Sequence, residues 1–158
     1  MAFCTNYARA RELGGRNIRR NSAIFIDGDT MVDMGKTAHL HAERFGLDMR
    51  RVTTLLVTHS HQDHFDTHTL WARQMTPSYD TLSDESKRTV SSPRFTALPR
   101  LKIIGSEQVS VALAAHLGYK QPAYGIDFIV VQPYRAYRVG VAGVAGGGRF
   151  SSIKIHIT

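Results

Sequence analysis

The chain has 158 residues, 42% hydrophobic and 21% charged, the size and composition of one globular domain; the disordered and fibrous classes are excluded. Twenty Lys and Arg against 13 Asp and Glu leave a net charge of +7, which fits either an anionic partner or a basic solvated surface. The single cysteine, Cys4, excludes an internal disulfide, and neither a secretory signal nor an apolar run of membrane-spanning length is present, so a soluble cytoplasmic protein is expected.

In chain order, the basic stretch 7–20 opens with a short helix that Gly14 and Gly15 end. "SAIFIDGDTMVDMG" predicts a hairpin, with strands at 22–26 and 30–33 and a turn at Asp27-Gly28. Residues 36–46 predict a helix closed by Gly46. "RVTTLLVTH", 51–59, is β-branched and apolar with little alternation, the pattern of a strand buried on both faces. Residues 66–75 predict a helix with Asp66 as its cap. The polar stretch 76–100, broken by prolines, reads as a long surface loop. A strand at 101–105, a helix at 106–119 between Ser106 and Gly118, and a strand at 126–132 follow. The tail 140–158 is atypical: a glycine-rich run, then alternating residues of a last strand at 152–158. Strands first and then strands alternating with helices make a mixed α/β class in a single domain, 1–158.

The chemistry concentrates in "THSHQDH", 58–64, where three of the eight histidines fall. His59 and His61 are two apart, so in extended backbone their side chains project to one side and can converge on one ion. Asp63 and His64 follow where the chain must turn, and can point to a second ion beside the first. Imidazole and carboxylate suit zinc, manganese or iron. The end of a buried strand is also where open α/β sheets bind ligands. His39, His41, His68 and His116, each on a helical stretch, are read as exposed or satisfied side chains without a functional role.

These residues resemble the metallo-β-lactamase-fold hydrolases, whose His-x-His-x-Asp-His signature "THSHQDH" matches. "FIDGDTMVDMG", ending in Asp33-x-Gly35, resembles the first motif of that superfamily. Together with "ARELGGRNIRRNSA" and "LKIIGSEQV" the text is most similar to the phosphonate-degradation cyclic phosphodiesterases and the tRNA 3′-processing endonucleases. The resemblance implies an αββα sandwich. It implies His59 and His61 on a first metal and Asp63 and His64 on a second, zinc foremost, with Asp63 also orienting the nucleophile and Asp33 supporting the loop. It implies metal-assisted hydrolysis, here of a phosphodiester or another small anionic substrate, or of nucleic acid.

The chain departs from that pattern twice. Only Cys4 remains of an N-terminal cysteine cluster, so no structural zinc is expected there. The later motifs, which supply a third histidine, a bridging aspartate and a final histidine, are not found; His156, on the last strand, is the one candidate for the third ligand. The expectation is therefore a sandwich incomplete at its C-terminus, with an open sheet that makes the chain marginally stable or self-associating. The same signature also serves thioester hydrolases, β-lactam hydrolases and iron-dependent sulfur dioxygenases. The missing motifs favour a further alternative, a non-catalytic metal-binding or interaction domain.

Overall fold

The turn expected at Asp27-Gly28 forms, with both residues in the left-handed region at φ 49° and 82°. It joins β1 (Ile24–Ile26) to β2 (Thr30–Val32) as an antiparallel hairpin. The computed structural model describes residues 5–74, 83–86, 98–118, 124–140 and 152–156. Cys4, most of the loop read at 76–100 and the glycine-rich run past Gly140 lie outside them.

A helix α1 (Thr5–Leu13) buries none of its residues. Helix α2 (Ala38–Phe45) buries Ala38 and Ala42 and stops at Gly46, whose φ of 65° and ψ of 30° form the left-handed cap. The strand read at 51–59 is shorter, β3 (Thr54–Leu56), because Asp48 accepts from the amide of Arg50 and folds Met49–Arg51 into a 3-10 turn. Thr67–Gln74 is a 3-10 helix rather than an α-helix. Asp66 precedes it, but its carboxylate takes the hydroxyl of Thr69 at 3.0 Å. Strand β4 (Leu101–Gly105), helix α3 (Glu107–Leu117) and β5 (Ile126–Val130) follow. Sequence reading missed β6 (Ala136–Gly140), which pairs antiparallel with β7 (Ser152–His156). Ser106 stands at the start of α3 without a side-chain cap hydrogen bond.

The architecture is mixed α/β with a central five-stranded sheet, ordered β1-β2-β3-β4-β5. β2, β3, β4 and β5 run parallel. Its register aligns Phe25, Met31, Leu55, Ile103 and Phe128 in one row across all five strands. Against that face pack Val109, Leu113 and Leu117, spaced four apart on α3, together with Leu70 and Phe65. Neighbouring positions form a second row on the opposite face, Ile24, Val32, Leu56, Ile104 and Ile129. Both faces of the sheet are thus apolar, as in sheets covered on both sides. Over the second face the described residues supply a small cluster of Ile104, Val131, Leu56 and Tyr137, and leave Ile24 58% and Ile129 37% exposed.

Candidate metal centre

The metal loop begins where β3 ends and runs along the extension of β2. Val57 still pairs with the sheet, its amide donating to Ile104 O at 2.8 Å. The carbonyl of His61 then accepts from the amides of His64 and Phe65 at 2.9 and 2.7 Å and turns the chain. On the far side Met34 donates to His64 O and accepts from the amide of Asp66, both at 2.7 Å, and pairs with Phe65 as a parallel bridge. The residues of the signature are therefore tied to the sheet at both ends.

Gly35 permits this approach. A β-carbon on Gly35 would lie 2.0 Å from Asp63 O and 2.7 Å from the β-carbon of Asn21. Asn21 is itself locked to the start of α2, its amide donating to Thr37 Oγ1 at 2.9 Å and its Oδ1 accepting from the amide of Thr37 at 3.2 Å.

Asp33, buried at 5% exposure and held at φ 57°, lies beneath the loop. Its carboxylate accepts from the amide and the hydroxyl of Thr58 and lies 2.7 Å from His64 Nδ1. The Thr58 hydroxyl is also 3.1 Å from His59 Nδ1. The hydroxyl donates to Asp33 and can accept from His59 Nδ1, while His64 Nδ1 donates to Asp33. Both rings then keep the Nε2 lone pair free, the form a metal ligand requires.

His59, Asp63 and His64 come together, each offering a ligand atom, all within 4.8 Å of one another. The His59 and His64 ring centres are 4.1 Å apart, and His64 Nε2 is 3.6 Å from an Asp63 carboxylate oxygen. His61 is exposed and sets its ring edge-on to His59 at 4.8 Å, outside that group of three. His156 sits on β7 opposite Ala136, in the two-stranded ladder. Two imidazoles and a carboxylate with oriented second partners are a donor set that fits zinc, manganese or iron.

Sequence reading missed Thr58, although a hydroxyl one residue before the first ligand at a strand end was a signal available to it. It also set aside His68 and His116, whose Nε2 atoms stand 3.3 Å apart. Separated by 48 positions, they left no local signal.

Beside the loop, across Asn21, lies a groove of about 720 Å³ lined by Arg11, Arg19, Arg20, Asn17, Asn21 and Thr37. One guanidinium nitrogen of Arg20 is buried, away from the groove's open surface, without a hydrogen-bond partner among the described residues.

No protein-family model and no curated protein matches the chain. Solved structures similar to it include a diphosphatase of the PhnP family, at 19% identity and a TM-score of 0.48 over 78% of this chain and 41% of that one. Zinc-bound PqqB from Methylobacterium extorquens gives 8% identity and a TM-score of 0.45 over 73% and 36%, and the short form of human tRNase Z gives 16% and 0.42 over 71% and 40%. These are metallo-β-lactamase-fold proteins, the superfamily the motifs resemble, and the chain spans about two-fifths of their length.

Proposed function

We propose that residues 1–158 form one domain of a metal-dependent hydrolase acting on a phosphodiester. The observation that carries this reading is the convergence of His59, Asp63 and His64 over the Asp33–Thr58 pair, in a chain whose motifs resemble the metallo-β-lactamase-fold phosphodiesterases. His59, His61, Asp63 and His64 would hold two divalent ions, zinc foremost, which when bound supply a hydroxide at neutral pH and draw charge from a phosphoryl oxygen. Asp63, its side chain 61% exposed, reaches toward solvent and is the residue that orients the attacking water. Asp33 and Thr58 keep the imidazoles in the metal-binding tautomer. The groove next to the loop, with Arg11, Arg19 and Arg20 in its lining, favours a substrate with a second phosphate or a nucleic-acid backbone.

The test is hydrolysis of bis-p-nitrophenyl phosphate by the zinc- or manganese-loaded chain, with metal content measured in parallel. Turnover lost in Asp63→Asn supports the reading. Oxygen consumption by an iron-loaded chain would replace it with the sulfur dioxygenase activity of the same signature. A second reading, a non-catalytic metal-binding domain, is favoured by one observation: among the described residues one group of three or more metal-ligating side chains converges, with no fourth ligand in it. Bound metal without turnover of phosphodiester or thioester substrates would establish it.

A further inference from the structure

His68 lies in the first turn of the 3-10 helix that leaves the metal loop, and His116 in the last turn of α3. Their Nε2 atoms face each other at 3.3 Å, with ring centres 4.5 Å apart and planes at 81°. The ring centres stand closer than either an in-line N–H···N bond or a shared tetrahedral ion would hold them, so the exposed rings turn about Cβ–Cγ for both Nε2 lone pairs to reach one ion. Two nitrogens each about 2.0–2.1 Å from a tetrahedral ion stand roughly 3.3–3.4 Å apart, the separation found here. Behind His68 its Nδ1 lies 3.5 Å from a carboxylate oxygen of Asp66, whose second oxygen takes the Thr69 hydroxyl. That buried carboxylate puts a negative charge behind the ring, which favours a cation held at His68.

We infer that His68 and His116 form a second transition-metal site, which takes a divalent ion such as Cu²⁺, Ni²⁺ or Zn²⁺ through the two Nε2 atoms and clasps the segment after the metal loop to α3. Both side chains are exposed, so water completes the coordination. Two imidazoles bind Cu²⁺ in preference to its neighbours in the first transition row. The site shares no residue with the hydrolytic centre and stands or falls apart from it.

The chain's one tryptophan reports on this site, since the Trp71 ring is 5.1 Å from that of His68. Titration of the folded chain with Cu²⁺ should quench Trp71 fluorescence with a saturable component. That component should persist in His61→Ala. It should weaken at least tenfold in His116→Gln and, independently, in His68→Gln, both exchanges at exposed positions and both checked for folding by circular dichroism. In the His61→Ala background Zn²⁺ should raise the melting temperature, and adding His116→Gln should reduce that rise, leaving the part that His59, Asp63 and His64 supply. Absence of a saturable component in the parent chain, or its survival in both glutamine variants, overturns the site.

Discussion

Asp33 joins two of the proposed metal ligands, His59 and His64, five positions apart. Its carboxylate takes the His64 ring directly and, through the Thr58 hydroxyl, reaches His59. Partners of this kind tune metal affinity, and losing one typically costs 10–100-fold. Asp33→Asn is expected to weaken zinc binding by about that factor, and Thr58→Val by roughly tenfold. Because both act in one network, the double variant should lose less than the product of the two, which isothermal titration of the four proteins measures. His61 calls for a separate experiment, since it stands outside the group of three. His61→Ala should lose at least one bound ion per chain by plasma mass spectrometry, and parental metal content in that variant would remove His61 from the ligand set.

At the scale of elements, the loop and the extension of β2 touch backbone to backbone at Gly35. The atom a side chain would meet there is a carbonyl, which cannot swing aside. Gly35→Ala should therefore push Asp63 outward, abolish metal binding and lower the melting temperature, while His41→Ala, on α2, should do neither. Helix α3 is held by Val109, Leu113 and Leu117, and Leu113 is fully buried. Leu113→Ala should lower the unfolding free energy by roughly 2–5 kcal/mol in denaturant titration. The elements legible in the sequence were those with local causes. Asp27-Gly28 could only turn, Gly46 could only end a helix, and "TTLLV" had no polar face to expose. The 3-10 form of Thr67–Gln74 is a choice of i→i+3 over i→i+4 hydrogen bonds, which periodicity does not carry. Strand β6 is defined by its antiparallel partner β7, whose paired residues lie 12 to 20 positions further on. The convergence of His59, Asp63 and His64 was legible as a motif, but the orientation of His64 by Asp33 rests on a contact across 31 positions.

For the whole molecule, the second face of the sheet decides behaviour in solution. An all-aliphatic row crosses it, and its ends, Ile24 and Ile129, are in water. Apolar surface of this kind favours association. Sedimentation velocity should show dimers or larger species growing with concentration, and the double variant Ile24→Lys, Ile129→Lys should shift the distribution to monomer. A distribution unmoved by that exchange would place the contact elsewhere.

The two-ended tether of the signature loop also bears on how an ion arrives. A loop that must fold around its ion spends part of the binding energy on ordering the chain. Here the amides of Met34, Thr58 and Asp66 are hydrogen-bonded by protein groups alone. They should exchange slowly with deuterium in chelator-treated protein, and loading the metal should slow them little further. Uptake then becomes capture by a pre-set cup, its rate governed by ion dehydration instead of by motion of the chain.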